Sequence, residues 1–348
     1  MPNKRHKTAK EIHDLIIQCC HSRSEDEFDK VKDKLKDVLS DATIYSFTWV
    51  SVNNYTHLHN ILHYVVTLCP NESLREYIGP SLLYLFIDEA CKIFDPQHWT
   101  VLLSKISNEG FSILQKSVMT GNPEIVNEII ELLTKSGHEN ALKINLESVT
   151  KAQVSLLQQA TYTAKPAIVD AVIKLLTTPG QEEALQFNLR KANSEQFTLL
   201  HQAVYTNNLE IVMAVIILLE RYLSKDLLKQ QLKRACNANY NLLHEGAITN
   251  NHVIFSNIIG LMRRVFTDDE FDATIAELAN QRTNRGHLPS SKNPGIRAYL
   301  DSCRKLKATN TSTYLPTYEH NKQQPNTMVQ PNRRYGTGAL YRLKSGEI

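Results

Sequence analysis

Three histidines near residue 60 are the side chains whose type and spacing could most directly do chemistry. His57, His59 and His63 form the pattern His-x-His-x-x-x-His, and two histidines four residues apart on a helix can bind one metal ion. No cysteine or carboxylate that could complete such a site is evident beside them. Because short motifs of this kind often arise by chance, we predict surface or structurally satisfied histidines and no metal site.

Other signatures of catalysis or cofactor binding do not occur in the sequence. It has no phosphate-binding loop, no Gly-x-Ser-x-Gly elbow and no His-Glu-x-x-His motif. Gly336-Thr-Gly338 is a single Gly-x-Gly pair without a third glycine, which does not predict a nucleotide site. We therefore predict no catalytic residues, no cofactor and a protein that is not an enzyme.

Charge and composition exclude further classes of function. The net charge is +3, and eight basic and two acidic residues follow Cys303, so this tail carries +6 and the preceding part −3. A charge of −3 on the part of the chain before the tail does not predict nucleic-acid binding. Six scattered cysteines without a Cys-x-x-Cys pair predict neither a zinc site nor disulfides. The N-terminus lacks an apolar signal core, and the longest apolar run is shorter than the ~20 residues of a membrane span. These features predict a cytoplasmic protein without a membrane span.

A repeat with a period of 43 residues supplies the elements that must position any binding residue. Each copy opens on a helix-capping residue, continues with two apolar residues and a small one, and reaches a turn. A second apolar stretch follows with residues four apart, which predicts a second helix. Such a unit cannot bury its apolar face alone, so the copies must stack. The clear copies start near residues 110, 153, 196 and 239, with caps at Ser112, Ser155, Thr198 and Asn241 and an apolar row at Leu114, Leu157, Leu200 and Leu243.

The repeat also contains a third matched segment. Residues 139–146, 182–189 and 225–232 are alike and carry paired apolar residues, which predicts a short additional helix in each unit. Thr267-Asp-Asp-Glu270 resembles another helix start, with carboxylates near the positive end of the helix dipole. We therefore expect units of more than two helices.

These copies resemble the ankyrin repeat, whose pattern is Gly-x-Thr-Pro-Leu-His-x-Ala-Ala, a Gly turn, Glu-Ile-Val and a Leu pair. The period is about ten residues longer than the usual ankyrin unit. The resemblance implies that the Thr caps the first helix and the His bonds across the turn; Gln115 and Gln158 replace that His in the first two copies. The third copy is closest, matching at Thr198, Leu200, His201, Ala203, Glu210, Ile211 and Val212.

The sequence therefore predicts an all-α, ankyrin-like helical repeat solenoid with an N-terminal helical cap and a disordered C-terminal tail. The cap is residues 1–50, where two amphipathic helices are expected. The solenoid is residues 51–303, with degenerate units near 53 and 284 flanking the clear copies. Residues 304–348 are the polar basic tail, whose composition favours disorder.

Two sets of equivalent positions in the first helices are the candidate partner-binding residues. We call the first set the stripe: it lies near the end of each first helix, where ankyrin proteins present variable side chains to partners. Tyrosine is enriched at the centres of protein interfaces. The alternative is that these four side chains form a ladder that only packs the concave face. Four threonines follow the stripe directly and are expected to cap the helix ends. The stripe is Met119, Tyr162, Tyr205 and Ile248, the second set is Lys116, Gln159, Gln202 and Glu245, and the threonines are Thr120, Thr163, Thr206 and Thr249.

The function that these features predict is a protein-binding scaffold that acts as a monomer through its concave repeat surface. Lengthened ankyrin units beside a polar tail also resemble effector proteins that intracellular bacteria deliver into host cells. That resemblance would make the partner a host protein and the location the host cytosol. An enzyme with a catalytic region in residues 1–110, whose repeats select the substrate, is the alternative. A structural oligomer that associates through an uncapped end is a third hypothesis.

Overall fold

The computed structural model describes residues 2–42, 47, 55–67 and 72–291, and every regular element in that part is helical. The predicted tail lies outside the described residues, as do Cys69, Cys303 and the Gly336-Thr-Gly338 pair. The α-helices are α1 Pro2–Cys20, α2 Glu25–Ser40, α3 His57–Thr67, α4 Glu72–Cys91, α5 Pro96–Leu103, α6 Ile113–Met119, α7 Pro123–Thr134, α8 Glu139–Glu147, α9 Leu156–Tyr162, α10 Pro166–Leu176, α11 Glu182–Arg190, α12 Leu199–Tyr205, α13 Leu209–Tyr222, α14 Lys225–Lys233, α15 Leu242–Thr249, α16 His252–Val265 and α17 Asp268–Asn280. A short 3-10 turn, Pro289–Ser291, follows.

Four consecutive units each consist of three helices, beginning at α6, α9, α12 and α15. The first helices of neighbouring units contact one another, and so do the second helices. The apolar row from Leu114 to Leu243 is buried in every unit, as stacked copies require. The all-α repeat solenoid predicted from the sequence is therefore confirmed.

The three helices before α6 are arranged like one more unit, and two further helices close that end. Helix α3 packs on α6, α4 on α7 and α5 on α8. Helices α1 and α2 pack on each other and on α3 and α4 respectively. Their apolar faces bury Ile12, Ile16, Phe28 and Leu35. The repeated core is thereby shielded from water at this end.

The predicted caps begin each first helix, and the glutamines that replace the histidine in the first two units bond to the turn of the next unit. Ser112, Ser155, Thr198 and Asn241 each accept a hydrogen bond from the backbone N–H three residues later. In the first, second and fourth units the residue at that third position then reaches the turn of the next unit, whereas Nε2 of His201 in the third unit has no hydrogen-bond partner in the described part of the chain. Gln115 Nε2 donates to Val154 O at 3.2 Å, Gln158 Nε2 donates to Phe197 O at 2.9 Å, and His244 Nε2 lies 3.2 Å from His287 O.

The four threonines after the stripe cap the ends of the first helices, as predicted. Each hydroxyl donates to the backbone carbonyl three residues earlier, at 2.6–2.9 Å. The turn that follows needs a left-handed residue, and the four units supply Gly121, Ala164, Asn207 and Asn250 there. Glycine and asparagine adopt that conformation readily. Ala164 has no such preference, yet it adopts the same left-handed conformation as the other three residues.

Buried amides on the third helices join neighbouring units, which the sequence did not reveal. Asn188 Oδ1 accepts from Leu157 N at 3.0 Å, and Asn188 Nδ2 donates to Leu146 O and Ala184 O, both at 2.9 Å. Asn145 makes the equivalent bonds one unit earlier. Each amide thus bonds to a backbone N–H at the start of one helix and to a backbone carbonyl near the end of a helix in the preceding unit.

Gly246 allows the fourth unit to hold a larger side chain in its second helix than the other units do. A methyl group on Gly246 would lie 2.8 Å from Cδ2 of Phe255. The corresponding pair in the third unit is Ala203 with Val212, and both of those residues are fully buried. The smaller residue at position 246 therefore compensates for the larger residue at position 255, where the two helices pack closely.

We expect Gly246→Ala to destabilise the protein by about 1 kcal/mol, because overpacking of ~1–3 kcal/mol exceeds the ~1 kcal/mol gained in helix propensity. Urea unfolding of the purified chain measures this change. The double variant Gly246→Ala/Phe255→Val recreates the pair of the third unit and should recover the stability that overpacking removes. A Gly246→Ala variant that is more stable than the parent would contradict the assignment of this contact as tight.

Candidate functional site

The turns before the first helices are joined by a continuous row of backbone hydrogen bonds. Each of these bonds runs from the N–H of one turn to a carbonyl of the preceding turn. Together with the cross-unit side chains described above, they fix the spacing of the first helices. The bonds are Lys151 N to Glu109 O at 3.0 Å, Ser194 N to Ala152 O at 2.9 Å, Asn237 N to Glu195 O at 2.9 Å and Asn284 N to Ala238 O at 3.1 Å.

The stripe residues lie at the ends of these helices and differ in exposure. Tyr162 is 37% exposed and Tyr205 46% exposed, whereas Met119 and Ile248 are half-buried. The tyrosines occupy equivalent positions in the second and third units. They therefore form a surface of two neighbouring aromatic side chains at the middle of the stack.

His63 takes the stripe position in the unit that α3 begins, which sequence reasoning missed. It lies seven residues after Thr56, as Met119 lies seven residues after Ser112. Thr56 and His59 form the helix cap there, with Oγ1 and Nδ1 2.7 Å apart. Counting from the cap would have found His63, since only the distance to the next unit departs from 43 residues. Its ring stacks on Tyr55 with centroids 5.2 Å apart.

The second set of predicted contact residues requires a correction. Lys116, Gln202 and Glu245 are only 2%, 3% and 4% exposed, and Gln159 is half-buried. The first helices are seven or eight residues long and contact the first helices of both neighbours. A side chain four residues after the cap consequently lies within the stack. These residues lie deeper than the stripe, and we call them the floor beneath it.

Lys116 is enclosed by aromatic rings at one end of this floor. Its ammonium lies 4.4 Å from the ring centroid of Phe111 and 5.1 Å from that of Tyr55. Glu109 Oε2 is 3.9 Å from Lys116 Nζ and accepts a hydrogen bond from the Tyr55 hydroxyl at 2.8 Å. Desolvation lowers the pKa of Lys116 to about 8, although the charge of Glu109 acts in the opposite direction.

Glu245 lies at the other end of the floor, and no ion pair or hydrogen bond of its carboxyl is found within the described residues. Desolvation raises its pKa to about 8. Gln202, one unit earlier, has its Nε2 buried without a hydrogen-bond partner in the same part of the chain. Burial, followed by the nearby charge of Glu195, raises the pKa of Tyr162 to about 12, although a third of that side chain is exposed. The floor beneath Tyr162 and Tyr205 is therefore polar, and some of its polar groups have no hydrogen-bond partner among the described residues.

Of the histidines near residue 60, His57 and His59 are buried and His63 is half-buried, so none of them is a surface residue. Desolvation lowers the pKa of His57 and His59 to about 3 and that of His63 to about 4, so all three are neutral at pH 7. Within the residues that the structure describes, no three histidine, cysteine or acidic side chains converge to hold a metal ion. None of the described helices combines the length and apolar character required to cross a bilayer.

Comparison with known proteins gives matches among solved structures. No protein-family model and no curated protein matches the sequence. The ankyrin repeat domain of Bcl-3, described as a unique member of the IkappaB protein family, is 15% identical, with 68% of this chain and 93% of that chain covered at a TM-score of 0.38. EF0377, an ankyrin repeat protein, is 16% identical over 64% and 92% of the chains, with a TM-score of 0.38. The ankyrin repeat domain of human ASB11 is 13% identical over 80% and 89%, with a TM-score of 0.39.

Proposed function

We propose that this protein is a protein-binding scaffold whose contact surface is centred on Tyr162 and Tyr205. The observation that carries the proposal is the exposure of these two tyrosines, 37% and 46%, at equivalent positions of adjacent units. Tyrosine combines a large apolar area with a polar hydroxyl, and it is enriched among the residues that dominate binding energy. Two such rings side by side are well suited to the centre of a protein interface.

The frame around these tyrosines supports the proposal because it holds them in place before a partner arrives. The helices that carry them are capped at both ends, by Ser155 and Thr163 for Tyr162 and by Thr198 and Thr206 for Tyr205. The turns beside them are joined by the row of backbone hydrogen bonds. A surface fixed in this way loses little conformational entropy on binding.

The proposal also includes a cellular location, which rests only on the resemblance to bacterial effectors. On that basis the partner would be a host protein, and the chain would act as a monomer in the host cytosol. A reporter enzyme fused to the full chain, assayed in host cells infected with a secreting strain and with a secretion-deficient strain, tests this extension. Equal reporter signals from the two strains would contradict it and leave the scaffold proposal untouched.

The double variant Tyr162→Ala/Tyr205→Ala is expected to weaken partner binding by at least ~30-fold, which corresponds to ~2 kcal/mol for a residue at an interface centre. Its free energy of unfolding should change by less than ~1 kcal/mol, because both side chains are partly exposed. A photo-crosslinking amino acid at position 205 identifies the bound protein, and titration calorimetry with that purified protein measures the affinity.

A matched control is available on another face of the molecule. Tyr77 and Tyr84 on α4 are 37% and 49% exposed, so they resemble the stripe tyrosines in size and exposure. Tyr77→Ala/Tyr84→Ala should leave the affinity within about twofold of the parent. Equal losses from the two double variants, or capture of the same protein from position 84, would refute a contact surface at the stripe.

A further inference from the structure

We propose, on the basis of the scaffold function above, that the partner is bound through a lysine or arginine side chain. That cation would enter between Glu195 and Glu245 and lie against the rings of Tyr162 and Tyr205. The partner is then a protein with an exposed basic segment. Three features of the described residues lead to this inference.

Glu245 is a buried acid for which the described residues supply no cation. It is 4% exposed, and no hydrogen bond or ion pair of its carboxyl occurs within that part of the chain. At neutral pH this carboxyl is held mainly in its protonated form, because ionisation would leave a buried charge without compensation, and a cation brought by a partner would stabilise the ionised form. Glu89 shows the usual arrangement in this protein: it is 3% exposed and lies 2.7 Å from Lys92 Nζ. Under our proposal Glu245 supplies the carboxylate of such an ion pair, and the partner supplies the cation.

A second carboxyl, that of Glu195, lies in the turn before α12, and Glu195 O accepts a hydrogen bond at 2.9 Å from Asn237 N in the turn before α15, the helix that carries Glu245. Glu195 is half-buried, and no ion pair of its side chain occurs among the described residues. Burial raises the pKa of the neighbouring Cys236 thiol, and the charges of Glu245 and Glu195 both add to that effect. This electrostatic effect agrees with the pairing of the two turns. Two neighbouring carboxyls without a cation in the described part of the chain attract one from outside.

Tyr162 and Tyr205 complete the surroundings with aromatic faces. Tyr205 lies on α12, which packs on α9, the helix of Tyr162, and on α15, the helix of Glu245, so three adjacent helices carry the two rings and this carboxyl. A tyrosine ring attracts a cation to its face, and the attraction grows when the cation is desolvated. Carboxylates bind guanidinium and ammonium groups with charge-assisted hydrogen bonds. The combination fits a basic side chain better than an acidic or apolar one.

Selection of a displayed random dodecapeptide library on the immobilised full chain tests this inference while the partner is still unidentified. Enriched peptides should share a lysine or arginine. Fluorescence anisotropy then measures their binding to the parent, to Glu245→Gln and to Glu131→Gln, an exposed glutamate on α7 that serves as the control. We expect Glu245→Gln to weaken binding at least tenfold and Glu131→Gln to leave it unchanged.

A peptide analogue in which citrulline or norleucine replaces the basic residue completes a double-mutant cycle. It should bind the parent at least tenfold more weakly, with little further loss on Glu245→Gln. Thermal unfolding at pH 6, where the parent carboxyl is protonated, should be the same for both proteins, which excludes misfolding as the cause.

The other outcomes separate the two proposals. Peptides that bind Glu245→Gln as tightly as the parent, yet fail to bind Tyr162→Ala/Tyr205→Ala, would overturn the basic-segment inference alone. Peptides independent of both sites, or no enriched peptide at all, would count against the scaffold function as well. Self-association lost in Glu245→Gln, or Glu245-dependent binding of a synthetic 304–348 peptide, would show that this chain itself supplies the cation and would refute a basic partner.

Discussion

Lowering the pH from 7 to 5 is expected to remove at least about 4 kcal/mol from the free energy of unfolding. The cause is the set of buried neutral histidines, since desolvation lowers the pKa of His57, His59 and His201 from 6.5 to about 3. In the unfolded chain these rings take up protons below pH 6.5, whereas in the folded protein they do so only near pH 3. Stability is therefore lost as the pH falls through this window. The half-buried His63, with a pKa of about 4, adds to this loss and is not included in the expected minimum.

The size of the effect follows from proton binding in the two states. Each histidine costs about 2 kcal/mol at pH 5, and the three together cost about 6 kcal/mol. Glu245 acts in the opposite direction: its folded-state pKa of about 8 lies above the unfolded value of 4.5, so its protonation returns about 2 kcal/mol over the same interval. The net loss is comparable with the whole stability of many domains. Urea unfolding followed by circular dichroism at pH 7 and pH 5 measures it.

The repeat itself provides the control for this prediction. Gln115 and Gln158 occupy the positions of His59 and His201 in other units and make the same caps. The variant His59→Gln/His201→Gln should therefore keep the fold and retain about 4 kcal/mol more stability than the parent at pH 5. An equal acid response in both proteins would show that other groups, such as the carboxylates, control acid unfolding.

Asn188→Ala is expected to destabilise the protein by ~2–6 kcal/mol. The substitution leaves the Leu157 N–H and the Leu146 carbonyl buried without their bonds to the amide. Each buried polar group left unsatisfied costs ~1–3 kcal/mol. Because the two groups belong to different units, the loss should also reduce the cooperativity of unfolding between units. Urea unfolding monitored by circular dichroism gives both the free energy and the m-value.

Gln231 in the third unit is the matched comparison. It makes one such bond, from Nε2 to Leu189 O at 2.7 Å, while its Oε1 has no partner within the described residues. Gln231→Ala should therefore cost about half as much as Asn188→Ala. Equal costs for the two variants would mean that volume, and not hydrogen bonding, determines the contribution of this position.

Asn145 and Asn188 also show how much of a contact between units can be predicted from the repeat spacing. They lie 43 residues apart on the third helices, so the spacing could have indicated an equivalent role, although we made no such prediction from the sequence. The spacing could not indicate that the amide bonds to a carbonyl of the preceding unit, since that contact forms only when the units stack. Polar residues repeated within an apolar segment are thus a usable signal for such links, although their partners must come from the structure.

The sequence by itself determined the period, the order of helices and the caps, because these depend on residues within a few positions of one another. Ser112 and its equivalents cap their own helices, and the apolar rows follow from helical spacing. Only the tertiary structure decided which first-helix positions reach solvent. Tyr205 and Gln202 are three residues apart on one short helix, yet one is 46% exposed and the other 3%. Their exposure depends on the neighbouring units that pack around that helix, and no single repeat encodes how closely those neighbours approach.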